Sequence, residues 1–201
     1  WLLSQASTVF VFLVVVNAIN FIDGIDGLAI SEIIKVILVI ELFSYDFTAL
    51  SNLGILIISS LIPLYYFNFK KTSKIFLGDG GSMLLGTLIM VYILYVLGEN
   101  YYIKNSIKIN KTLFSVLVVI YPLTDLFRVF ILRLKEKKSP FIADQNHLHH
   151  ILHKKGYKPI INVLIIQGLS LSIFLLYVVF SITKFWEYNF IYTKPFIFWF
   201  I

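Results

Sequence analysis

The chain of 201 residues contains no cysteine, which removes disulfide frameworks and thiolate metal sites and leaves the redox compartment open. Charge is scarce as well: Asp, Glu, Lys and Arg make up 14% of residues, against 59% hydrophobic and 17% aromatic. A soluble domain carries about 25% charged residues, and a water-facing fold of this size could not hide so much apolar surface. Runs such as 113–121 and 164–180 hold no charge at all. A bilayer core of ~30 Å needs ~20 such residues as a helix, so lipid is the expected solvent. No internal repeat is visible. The chain opens on Trp1 with no Met, basic n-region or cleavage site, so the first apolar run does not read as a signal peptide. Both ends look cut, and the chain is expected to be the larger, C-terminal part of a longer protein.

Apolar runs predict an all-α, polytopic transmembrane bundle with about six complete spans, near 2–21, 28–45, 50–69, 82–98, 113–134 and 160–183, and a partial seventh from Pro195. The whole of 1–201 reads as one transmembrane domain, with 133–158 as a loop within it. The second run carries Glu32, Lys35 and Glu41, the first two one helical turn apart and able to pair. Net charge is +6, which in a soluble protein would suggest nucleic acid. Here the basic residues sit in loops between apolar runs, which points to the lipid bilayer and its anionic headgroups, not to nucleic acid. Alternation puts Lys70, Lys71, Lys74, Arg133, Lys135, Lys137, Lys138, Lys154, Lys155 and Lys158 on one side, and only Lys104, Lys108, Lys111, Lys184 and Lys194 on the other. The first side is therefore expected to be cytoplasmic, and every polar motif with chemical potential falls on it.

The first motif is Asn17-Ala-Ile-Asn20-Phe-Ile-Asp23-Gly-Ile-Asp26-Gly-Leu-Ala29. Steps of three place Asn17, Asn20, Asp23 and Asp26 on one slowly drifting stripe at a helix end. Two amides and two carboxylates there suit a hydrated divalent cation or a nucleotide's hydroxyls and base edges. A plain helix cap and turn is the alternative, since Asp with Gly24 and Gly27 supplies turn chemistry unaided. Such polar spacing is nevertheless expensive inside an apolar run.

The second motif, Phe76-Leu-Gly78-Asp79-Gly80-Gly81-Ser82, opens the fourth span. Glycines admit close approach of an anion to the backbone, free amides at a helix start favour phosphate, and Asp79 can hold Mg²⁺ against it. The same letters also spell an ordinary loop with Ser82 near the helix cap. The third motif runs from Ser139 to His153 and holds all four histidines of the chain, His147, His149, His150 and His153. A zinc site lacks acidic or Cys companions, whereas imidazoles flanked by lysines suit pyrophosphate or a lipid phosphate. A solvated interfacial helix is the alternative. Asp125 and Arg128, one turn apart, form either a self-satisfied ion pair or a substrate contact.

Together the stretches NAINFIDGIDGLA, FLGDGGSMLLG and PLTDLFRVFILRLKEKKSPFIADQNHLHHILHKKGY resemble the polyprenyl-phosphate N-acetylhexosamine-1-phosphate transferases. That family includes the undecaprenyl-phosphate GlcNAc-1-phosphate transferases and the muramoyl-pentapeptide transferase, and His-Leu-His-His is similar to the GlcNAc-type branch. The resemblance implies Asp79 as a magnesium-binding aspartate and Phe76 as the ring stacked on uracil. It also implies Asn20, Asp23 and Asp26 at nucleotide-pocket and metal-proximal positions, and His147, His149 and His150 as diphosphate contacts. Gln145 stands where relatives commonly have arginine, and the family's upstream Asp-Asp motif would lie before Trp1.

The expected activity is Mg²⁺-dependent (or Mn²⁺-dependent) transfer of a HexNAc-1-phosphate from a UDP-HexNAc to undecaprenyl phosphate, with release of UMP, at the inner membrane of a bacterium. Expected catalytic residues are Asp79, Asp26 and Asp23, with Asp79 and Asp23 on the metal. Expected substrate-binding residues are Asn17, Asn20, Phe76, Gly80, Ser82, His147, His149, His150 and Arg128, and a homodimer is one option for the assembly. Phosphoryl transfer between two anions requires in-line positioning and charge neutralisation more than covalent chemistry, which a metal and basic side chains supply. The rivals are an ion-coupled transporter, a CDP-alcohol phosphotransferase, whose downstream aspartates are missing, and an inactive remnant.

Overall fold

The computed structural model describes residues 1–104, 109–137, 139 and 147–197, with backbone alone for 184–197. Among these residues eight helices follow one another: α1 (Leu2–Ile22), α2 (Leu28–Phe43), α3 (Ser51–Asn68), α4 (Gly78–Leu97), α5 (Lys111–Val118), α6 (Ile120–Lys135), α7 (Leu148–Lys154) and α8 (Pro159–Ile197). The described residues contain no strand beyond one isolated bridge between Ser44 and Ile103. Helix is what an apolar chain must form when lipid offers no partner for its backbone.

The all-helical expectation holds, and the chain has the helices of a multi-pass membrane protein. Among the described residues four helical segments are long and apolar enough to cross a bilayer: Leu2–Ile22, Ser51–Asn68, Gly78–Leu97 and Pro159–Thr183. The pair α5 and α6, bent by 72° at Val119, makes a fifth if it is one broken span. Pro122 accounts for a break here. It has no N–H for the carbonyl of Val118, and by starting a new helix at Ile120 the chain puts that missing donor in a first turn, where it is harmless.

The second apolar run differs from the others. It folds as the 16-residue α2, eleven of whose residues are buried, and it packs against α4, α3 and α8 in the middle of the bundle. Its charges turn inward. Lys35 Nζ lies 2.7 Å from Glu32 Oε1 and 2.9 Å from Ser170 Oγ, while Gln167 Nε2 donates to Glu32 Oε2 at 3.0 Å. A buried pair survives only when its remaining lone pairs and protons find such partners. At the C-terminus no separate seventh helix begins at Pro195, because α8 runs on from Pro159 to Ile197; residues 198–201 lie outside the described residues.

Helix α1 packs mainly on α4 and α6. Antiparallel succession therefore brings the end of α1, the start of α2, the end of α3 and the start of α4 to one end of the bundle. Asn68 ties that end together. Its Oδ1 accepts the Gly27 N–H from the α1–α2 turn, and its Nδ2 donates to the Ile75 carbonyl of the α3–α4 loop at 2.8 Å. Gly27 holds φ of +76°, and a Cβ there would collide with the rings of Phe69 and Tyr65. Only glycine meets both demands.

Candidate functional site

Helix α1 stops at Asp23, whose backbone N–H reaches back to the Asn20 carbonyl at 3.2 Å, and the turn 23–27 follows. Helix α4 starts at Gly78, four residues before the expected Ser82, so Asp79 lies in its first turn and not in a preceding loop. Ser82 is fully buried one turn further in. The two motifs meet through Asn20, which donates to Ser82 Oγ at 2.8 Å and to Asp79 Oδ1 at 3.3 Å. Ser82 in turn donates to the Asp79 carbonyl at 3.1 Å. A cavity of about 240 Å³ opens between the turn and the helix start, and Asp23, Asp26 and Asp79 all line it, with Asn68 and Phe76.

Three carboxylates around one cavity repel one another. Burial first, and then the charges of Asp79 and Asp26, push Asp23 up to about 7, so it is half protonated near neutral pH. Asp26 has a cation of its own: Lys74 Nζ lies 2.6 Å from its Oδ2. The oxygen-rich set suits a hard divalent cation, which would relieve the repulsion on Asp23. Among the described residues no three of His, Cys, Asp and Glu come together as a ligating group. That still fits Mg²⁺, which keeps several waters and is usually held by one or two carboxylates plus substrate phosphate.

The histidines arrive on the short helix α7. Asp125 of α6 anchors its start: Oδ2 lies 2.8 Å from His147 Nδ1, and Oδ1 accepts the Leu148 N–H and Arg128 Nη2, both at 2.9 Å. His147 and Arg128 are therefore both bonded to Asp125, which makes the Asp125–Arg128 pair part of a larger knot. His149, expected as a diphosphate contact, does not lie on a solvated helix face. It is fully buried, and neither ring nitrogen has a hydrogen-bond partner among the described residues. Burial, then the neighbouring His150, push it down to about 3, so its ring is neutral at physiological pH. Its position is nonetheless informative. A Cβ built on Gly24 would sit 2.6 Å from His149 Nε2, so the missing side chain at 24 lets the histidine helix seat on the carboxylate turn. His150, half-buried, lies against the same glycine and is likewise pushed down, mainly by burial.

Other expected site residues fare differently. Asn17 is exposed and donates back to its own helix at Leu13 O, 2.7 Å away, apart from the cluster. At Gly80 an added Cβ would meet open space, so its backbone face is accessible. Phe76 is 69% exposed at the cavity rim. Residues 140–146 of the third motif, with Asp144, Gln145 and Asn146, lie outside the described residues. Sequence reading missed Asn68 and Lys74. The signals were there: a lone amide closing an apolar span, and a lysine two residues before Phe76.

Residues 1–97 match the family model for glycosyl transferase family 4. The chain is also similar to curated proteins named undecaprenyl-phosphate alpha-N-acetylglucosaminyl 1-phosphate transferase. That of Pasteurella multocida (strain Pm70) is 30% identical over 105 residues, covering 50% of this chain and 28% of that protein. That of Haemophilus influenzae (strain ATCC 51907 / DSM 11121 / KW20 / Rd) is 30% identical over 105 residues, with the same shares. That of Escherichia coli (strain K12) is 28% identical over 104 residues, covering 50% of this chain and 26% of that protein. The matched stretch thus spans under a third of these relatives' length. No solved structure gives a significant match.

Proposed function

We propose, on the premise that residues 1–97 belong to glycosyl transferase family 4 and that the relatives are GlcNAc-type, that this protein transfers GlcNAc-1-phosphate from UDP-GlcNAc to undecaprenyl phosphate and releases UMP. The observation that carries the reading is the meeting of Asp23, Asp26 and Asp79, from two motifs more than fifty residues apart in the chain, around one cavity at the bundle end, with Asn20 bonded to Asp79. Asp79 and Asp23 would hold Mg²⁺, or Mn²⁺ in its place, and the ion would neutralise the donor phosphates during transfer. Asn20 fixes the Asp79 carboxylate and Ser82 braces Asn20 from below. The exposed Phe76 ring offers a stacking face for uracil at the rim, and the open backbone at Gly80 admits phosphate oxygens. His147, Arg128 and Asp125 act by holding α7 in place; His149 acts by packing, since it is buried and neutral.

The basic loops expected on the site's side support, by the positive-inside rule, a site facing the cytoplasm at the inner membrane. A carboxylate site at a bundle end suits a lipid phosphate acceptor at the headgroup level. The buried Glu32–Lys35 pair, which an ion-coupled transporter would use, is satisfied by its own neighbours. The deciding measurement uses membranes containing the full-length protein and radiolabelled UDP-GlcNAc. Label is expected in extractable lipid, increased by added undecaprenyl phosphate and accompanied by UMP; no incorporation above empty-vector membranes sinks the reading.

A pH prediction follows from Asp23. The metal needs the carboxylate, and a proton competes for it below about 7. Apparent Mn²⁺ affinity, followed by the paramagnetic resonance of free ion, is therefore expected to rise as pH rises, about tenfold between pH 6 and pH 8, and to level off above. Asp23→Asn is expected to lower the affinity and flatten the profile. A flat profile in the wild type would remove Asp23 from the metal.

A further inference from the structure

Among the described residues the cavity that takes the proposed donor is lined by three carboxylates and no basic side chain. A nucleoside diphosphate brings more negative charge into it, and one divalent ion shared with Asp23 and Asp79 leaves the total charge negative. The cation bonded to a lining residue is Lys74. Its Nζ is 2.6 Å from Asp26 Oδ2 and, at the same time, 4.9 Å from the centroid of the Phe76 ring. The side chain is about a quarter exposed. Among the described residues Asp26 is the ammonium's one hydrogen-bond acceptor, although the group carries three donors. Another lysine of the loop, Lys70, instead lies over the Tyr66 and Phe67 rings, at 4.8 and 4.6 Å.

We propose that Lys74 is a donor-binding residue that contacts the diphosphate of the nucleotide sugar, with Asp26 holding the ammonium at the cavity mouth until the donor arrives. This rests on the reading of the cavity as a UDP-sugar site. A nucleotide whose base stacks on Phe76 lies beside the charge seated over that ring, and a flexible lysine stem can turn from a carboxylate to a phosphate. Because Lys contacts phosphate as a point charge and not as a planar fork, arginine is an acceptable replacement and glutamine is not.

The test is equilibrium binding of uridine and of UDP, in Mg²⁺, to the full-length protein in detergent, comparing wild type with Lys74→Gln, Lys74→Arg and the double variant Lys74→Gln/Asp26→Asn. Wild type is expected to bind UDP more tightly than uridine. Lys74→Gln is expected to hold uridine affinity within about twofold and to lose tenfold or more of UDP affinity, with Lys74→Arg keeping most of it. The double variant decides between direct contact and mere masking of Asp26: its UDP-over-uridine ratio is expected to stay low. A double variant whose ratio returns to the wild-type value, or a Lys74→Gln protein that weakens both ligands equally or neither, overturns the assignment of Lys74 alone. Wild type binding neither uridine nor UDP overturns the functional reading and the inference with it.

Discussion

Asp79→Asn is expected to lower transferase activity by ~10³-fold or more. The substitution keeps the shape of the side chain and the acceptor that Asn20 Nδ2 uses at 3.3 Å, but removes the charge. If Asp79 holds the metal, the loss is a metal-centred contribution of several kcal/mol, and each ~1.4 kcal/mol is a factor of ten in rate. If Asp79 merely opens α4, where it lies in the first turn, the loss is a carboxylate's interaction with the helix dipole, about 0.3–1 kcal/mol. These magnitudes are far enough apart for one substitution to separate them. The measurement is transferase rate against Mg²⁺ concentration, for wild type and variant at equal membrane insertion. A variant within about fivefold of wild type at every Mg²⁺ level would sink the metal assignment.

The membrane character and most helices were legible because apolar runs and polar breaks are local features. What tertiary structure decided was less so. Glu32 and Lys35 were read only as able to pair with each other, and their partners Ser170 and Gln167 come from α8, more than 130 residues away in sequence. Periodicity could not tell a bent pair from a straight fifth span, since Pro122 can kink, break or open a helix with the same neighbours. Asp23, Asp26 and Asp79, which line one cavity, stood out because acids in apolar runs are costly and conspicuous. Asn17 shared their spacing, but its amide closes on its own helix, a local bond that a stripe argument does not foresee. The burial of His149 was hidden for a related reason. A basic, polar loop suggested solvent, whereas the glycine at position 24 admits the imidazole into a buried seat.

Asp125→Ala tests whether α7 is held by the knot on α6. One carboxylate accepts from the Arg128 guanidinium, pairs with His147 and takes the Leu148 N–H, and it is 2% exposed. Removing it leaves a buried imidazole, a helix-start amide and a guanidinium without that shared acceptor. Breaking a buried pair by deleting one partner costs about 3–5 kcal/mol. At the lower end that is roughly a 6–12 °C drop in melting temperature for a chain of this size, given about 2–4 °C per kcal/mol. Asp125→Asn should fall between, because its carbonyl oxygen can still accept from Leu148 while its amide faces the other donors. Undocking α7 would also lift His149 off Gly24, so trypsin cleavage after Lys154 and Lys155 should accelerate before global unfolding. Melting in detergent and timed proteolysis read the two effects separately. A melting point within about 1 °C of wild type together with unchanged cleavage would mean that α7 is seated by packing alone, and any loss of activity in the variant would then mark Asp125 as a substrate contact.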